Sequence, residues 1–110
     1  DMTQDIKMLI KKCKENNTID LLEKELKRAL SLFPKVIKVN MYAGIFYYKV
    51  KNNYQKAKYF FQKCIMLDPY DFRHYYNMGL ILKEKNENKE AIFYFHKALK
   101  FNKRFYNIYY

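Results

Sequence analysis

The chain has 110 residues, enough for a single domain with a core of its own. Half of it is apolar and it holds only two Gly and two Pro, which suits helices and argues against a β-sandwich, a barrel or a disordered tail. Lys and Arg outnumber Asp and Glu by 22 to 11, so the net charge is +11 and the field of the molecule favours polyanions and acidic peptides.

The longest apolar run, Met41 to Tyr48, contains a Gly and three Tyr and falls far short of the ~20 residues that cross a bilayer, so no membrane insertion is expected. The opening residues, DMTQDIKM, lack the basic and apolar regions of a signal peptide, and a start on Asp1 suggests a piece of a longer protein. Cys13 and Cys64 show no metal or redox spacing and both fall on apolar helix faces, so they read as small buried hydrophobes. That suits an intracellular setting, cytoplasmic or nuclear.

Taken in order, Ile6, Leu9, Ile10 and Cys13 recur at helical spacing and predict an amphipathic helix from about Thr3 to Glu15, ended by Asn16-Asn17. Thr18 can cap the next helix, whose buried face is Ile19, Leu22, Leu26, Ala29, Leu30 and Phe33, and Pro34 ends it. Further helices are expected from about Val36 to Val50, Tyr54 to Leu67, Tyr70 to Lys85 and Lys89 to Phe101. The turns at Lys51-Asn52-Asn53 and Asn86-Glu87-Asn88 offer Asn where a tight turn needs the left-handed conformation. Arg104 to Tyr110 reads as the beginning of another helix.

The chain also repeats itself. At an offset of 34 residues, the segment 38–71 matches 72–105 at seven positions: Tyr42/Tyr76, Lys49/Lys83, Lys51/Lys85, Asn52/Asn86, Ala57/Ala91, Phe61/Phe95 and Lys63/Lys97. A period of that length belongs to stacked helical pairs, each of which buries its apolar face only against its neighbours. These units resemble the tetratricopeptide repeat (TPR). The third carries the pattern in Tyr75, Met78-Gly79, Leu82, Ala91, Phe95 and Ala98; the second carries it in Met41, Tyr48, Ala57, Phe61, Cys64 and the Leu67-Asp68-Pro69 ending. In the second unit Gly44 falls one place early, with Ile45 opposite Gly79, and Pro34 precedes Pro69 by 35 residues, which places one extra residue in the turn around Lys35 to Ile37. The resemblance implies an all-α, right-handed TPR solenoid of three antiparallel helix pairs: a degenerate first unit at 3–36, a second at 38–71, a third at 72–105, and 106–110 as the start of a capping helix or next repeat.

No catalytic constellation is visible. His74 and His96 stand on different helices outside any HxxxH or HExxH spacing, the two Gly are 35 residues apart, and carboxylates are scattered. Each His reads as an ordinary, partly exposed side chain, and neither an enzyme, a cofactor nor a metal site is expected.

In arrays of this family the first helices of successive units line a concave groove. The face opposite the core here gathers Gln4, Lys7, Met8, Lys11 and Lys14, then Val39, Tyr42, Ala43, Phe46 and Lys49, then Arg73, Tyr76, Asn77, Leu80 and Lys83. An apolar, aromatic floor with a basic rim suits an acidic or amphipathic peptide. The function expected is therefore a non-catalytic scaffold or adaptor that binds another protein. The bland reading of the same residues is that Tyr42, Phe46 and Tyr76 pack on one another or reflect AT-rich codons.

Two other readings stay open. The family's carboxylate clamp, which grips acidic chaperone tails, wants two Lys, two Asn and an Arg. Here Lys7 fits, Arg73 keeps a charge, Lys11 and Ala43 replace the two Asn, and Asn77 replaces the Arg. A nucleic-acid-associated module is the other, because the 42 residues from Leu26 to Leu67 hold nine Lys or Arg and no acid. Self-association is expected through the uncapped end, with Tyr106, Ile108, Tyr109 and Tyr110 unpaired.

Overall fold

A computed structural model describes residues 2–15 and 17–102. Among them are six α-helices and no strand: α1 (Met2–Glu15), α2 (Ile19–Leu32), α3 (Ile37–Lys49), α4 (Tyr54–Leu67), α5 (Phe72–Glu84) and α6 (Asn88–Phe101). None is long and apolar enough to cross a membrane. The side chain of Cys13 and the segment 103–110, with its expected extra helix and self-association surface, lie outside the described residues.

Helices α3 and α4 pack on each other closely, as do α5 and α6, while α4 joins the two pairs, α2 attaches more lightly to α3, and α1 more lightly still to α2. The turns within the pairs reverse the chain at Asn17, Asn52 and Asn86, whose φ angles are 56°, 51° and 61°. Asn accepts this left-handed backbone more readily than most residues because its short polar side chain bonds locally. Asn53 and Asp71 then cap α4 and α5, accepting from the backbone N–H groups of Lys56 and Arg73 and satisfying donors that the helix leaves unpaired.

The core lies between the second and third pairs and consists of Phe46, Tyr47, Tyr48, Ala57, Phe61, Met78, Ile81, Leu82 and Ala91. Its helices approach closely at two glycines. A Cβ added to Gly44 would meet Cε1 of Phe61 at 2.4 Å, and one added to Gly79 would meet Cε1 of Phe95 at 2.5 Å. Gly44 therefore does in α3 what Gly79 does in α5, although the two are 35 residues apart.

The same offset relates Asn40 to Tyr75, which donate to the carbonyls of Pro34 (3.1 Å) and Pro69 (2.6 Å) respectively. It also relates the helix caps Val36 and Asp71. The second helices α4 and α6 and the left-handed Asn52 and Asn86 keep the offset of 34. The extra residue consequently sits at the end of α3, around Lys51, and not near Lys35 to Ile37 as the Pro spacing suggested. Lys51 N–H reaches back to Phe46 O and Asn53 N–H to Tyr47 O, which absorbs the longer turn.

The first pair departs from expectation in its burial. No residue of α2 is fully buried, and Leu9 and Phe33, expected on core faces, are 49% and 54% exposed. With only α3 beside it and α1 lightly attached, this pair has too few neighbours to cover its apolar face.

Gly44→Ala and Gly79→Ala should each destabilise the fold by overpacking, by roughly 1 to 3 kcal/mol. The larger loss belongs at Gly44, because Phe61 is buried and has less room to turn than the half-buried Phe95. Urea unfolding of the two variants checks both the size and the order.

Candidate protein-binding site

The corrected register of α3 changes which side chains face outward. Ala43 and Phe46, placed on the groove by the 34-residue offset, correspond to Met78 and Ile81 and are buried with them, at 0% and 2% exposure. The Phe46 ring packs edge-on against Tyr47 at 5.3 Å. Tyr42 and Ile45 of α3 are half-buried, as are the corresponding Asn77 and Leu80 of α5, and Ile45 packs against the core.

The other expected groove residues are distributed as follows. Lys7, Lys11 and Lys14 are exposed on α1, Lys49 on α3, and Arg73 and Lys83 on α5. Tyr76 is 48% exposed and its ring rests on Phe95 at 5.8 Å. Lys49 lies over the Tyr48 ring, 4.7 Å from its centre. Arg73 is engaged: its Nε and Nη2 fork onto the Asp71 carboxylate at 2.6 to 3.1 Å, and these hydrogen bonds hold the Asp71 carboxyl below its usual range.

Tyr42 and Phe46, one turn apart, do come together at an apolar cleft. It has a volume of about 320 Å³ and lies between α1, α2 and α3, where Ile6, Leu9 and Ile10 face Leu22 and Leu26, with Asp5 and Glu25 also on its wall. Phe46 contributes only the edge left by its burial. Sequence reasoning placed these Ile and Leu residues on core faces, which holds for the buried Ile6 and Ile10, and the incomplete packing of the first pair leaves Leu9, Leu22 and Leu26 open to an occupant. Lys7, Lys11 and Lys14 do not line the cleft.

Two carboxylates tie the helical pairs together. Glu23 of α2 accepts from Tyr47 Oη at 3.0 Å and pairs with Lys51 at 3.2 Å. Glu84 of α5 accepts from Tyr48 Oη at 2.9 Å and Tyr54 Oη at 3.3 Å. Burial works to raise the Glu23 carboxyl, but the hydrogen bonds from Lys51 and Tyr47 and the nearby lysine charges outweigh it and hold it below its ordinary value. Burial first, and Glu23 second, push the Tyr47 hydroxyl up to about 12.

Two titratable side chains among the described residues, Cys64 and His74, are wholly buried. Burial pushes the Cys64 thiol up to about 12, which keeps it protonated and unreactive at neutral pH. His74, expected to be partly exposed, is 0% exposed because it lies on the core side of α5, one residue before Tyr75, and that burial lowers its pKa.

This arrangement is a stack of short antiparallel helix pairs. Residues 46–71 and 73–105 match the tetratricopeptide repeat family, and the chain belongs to that family. Over 43 residues it is 44% identical to the UDP-N-acetylglucosamine–peptide N-acetylglucosaminyltransferase of Giardia intestinalis, a stretch that covers 39% of this chain and 3% of that protein. Repeats of this family are generally non-catalytic modules that bind other proteins.

Tyr47→Phe should cost about 1 to 3 kcal/mol at neutral pH, since it removes a hydrogen bond to an ionised carboxylate. A tyrosine in the unfolded chain ionises near pH 10. The folded value is higher, so this contribution is whole below about pH 10 and is lost as pH rises towards 12. The variant should therefore lose stability less steeply than the wild type in that range, as measured by denaturant unfolding at successive pH values.

Proposed function

We propose that this chain is a non-catalytic scaffold or adaptor element that takes an amphipathic segment of a partner protein into the cleft between α1, α2 and α3. The observation that carries the reading is the apolar cleft itself, of about 320 Å³ and lined by Ile6, Leu9, Ile10, Leu22, Leu26, Tyr42 and Phe46. It is of the size that receives a few apolar side chains, such as those a helix presents at i, i+3 and i+4. Acidic residues on the segment's polar face are drawn by the net charge of +11.

The narrower alternatives have less behind them. Ala43, needed as a clamp donor, is buried without a polar group, and Arg73 is already held by Asp71. Of the cations in the acid-free part of the sequence, Lys27 and Lys51 pair with Glu23 and Arg28 with Glu25. Lys49 and Lys56 lie over Tyr48 and Tyr47. A stripe that tracks a nucleic-acid backbone needs such charges free and aligned. The division into units at 3–36, 38–71 and 72–105 and an intracellular setting belong to the same proposal, the latter supported by the buried free thiol of Cys64.

The test is selection of peptides against the protein from a displayed library, followed by titration of the selected sequences into wild type, Leu9→Asp and Tyr42→Ala. Peptides with apolar anchors one helical turn apart should emerge, and each variant should weaken them at least tenfold, about 1.4 kcal/mol. Undiminished affinity in both variants contradicts the reading.

A further inference from the structure

Asp68, Asp71 and His74 meet where α4 hands the chain to α5. Asp68 is the C-terminal cap of α4 and Asp71 the N-terminal cap of α5, and His74 follows in the first turn of α5. One potential ligand atom from each lies within 4.8 Å of the other two, and His74 Nε2 is 3.8 Å from Asp71 Oδ2. The imidazole is wholly buried and neither of its nitrogens has a hydrogen-bond partner among the described residues. A polar ring taken out of water without a partner is an uncompensated cost, and a ring nitrogen this near two carboxylates is what a cation would satisfy.

We propose that Asp68, Asp71 and His74 form a divalent-metal site of the zinc class that staples the end of α4 to the start of α5. One imidazole nitrogen and two carboxylate oxygens are ligands that zinc accepts, with water completing the shell, whereas magnesium and calcium favour oxygen alone. Bonds of about 2.0 to 2.1 Å put neighbouring tetrahedral ligands roughly 3.4 Å apart, so His74 and Asp71 need to close by a few tenths of an ångström, and the side chains must draw in the wider separations, which are within 4.8 Å. The spacing is legible in the sequence as D-x-x-D-x-x-H, residues 68 to 74, with Pro69 restricting the turn between the first two ligands.

Arg73 is the competitor. Its guanidinium holds Asp71 Oδ2 at 2.6 Å while its side chain is 49% exposed, so a dication that takes over the carboxylate releases it into water. Cys64 is near enough to Asp71 for their charges to interact, yet its ligand atom is not part of the cluster. The ion would act as a brace between the second and third helix pairs, and it is independent of the cleft and of any peptide bound there.

The test is calorimetric titration of Zn²⁺, and separately Mg²⁺, into chelator-treated protein. Melting curves and the visible spectrum of the Co²⁺ form accompany it. Wild type should bind one Zn²⁺ with a raised melting temperature, ignore Mg²⁺, and give a cobalt spectrum without a thiolate charge-transfer band. Asp68→Asn, a change at a half-buried cap that leaves the core intact, should weaken binding at least tenfold. Arg73→Ala should tighten it, and His96→Gln, at an exposed histidine, should leave it unchanged. Folding of every variant is checked by circular dichroism. Absence of Zn²⁺ binding in the wild type, or equal affinity in Asp68→Asn, overturns the proposal and leaves His74 as a buried histidine satisfied by water.

Discussion

The structure depends on the contact of a phenyl ring with bare backbone. In each of the two well-packed pairs a glycine of the first helix lies against a phenylalanine of the second, so closely that a single added carbon would fall 2.4 or 2.5 Å from the ring. Such a contact fixes both the separation of the two helices and the rotation of the first about its axis. In α3 it turns Ala43, Phe46 and Tyr47 inward, and Tyr42 is left half-buried at the surface.

From that rotation the rest follows. Tyr47 and Tyr48 bring their hydroxyls to Glu23 and Glu84, so that the carboxylates of α2 and α5 bind the neighbouring pair through donors anchored in its core. A charge-assisted hydrogen bond from a buried tyrosine is stronger than an exposed ion pair and loses less to side-chain freedom. The first pair has no such glycine contact. It is attached through Glu23 and the apolar side chains of α2, and the space it fails to fill is the cleft. Weak packing of the terminal unit and a place for a partner are thus the same feature seen from two sides.

Most of the architecture was legible in the sequence because helical periodicity, Asn-rich turns and proline stops are local signals. The helix ends fall within two residues of expectation. What was not legible was the register of α3. A fixed offset of 34 residues aligned Tyr42 with Tyr76 and Lys49 with Lys83, identities that coincide by chance in side chains with different surroundings. The insertion around Lys51 was hidden because Lys51, Asn52 and Lys85, Asn86 look alike across it. The glycine displaced by one place was the true marker, since only a residue without a side chain fits beneath Phe61. For the site, the apolar residues of the first pair were read correctly as a face, which is closed at Ile6 and Ile10 but not at Leu9 and Phe33, because how much of a face is covered depends on neighbours that no local pattern reveals. His74 looked ordinary for the same reason, as nothing beside it in sequence announces complete burial.

The most direct test of the central claim, that a partner segment enters the cleft of the first pair, is a map of amide chemical-shift changes in isotope-labelled protein on addition of a selected amphipathic peptide. The largest changes should cluster at Ile6, Leu9, Ile10, Leu22, Leu26 and Tyr42, with α6 nearly silent. Changes concentrated on α4 and α6, with the residues of α1 and α2 unmoved, would contradict it.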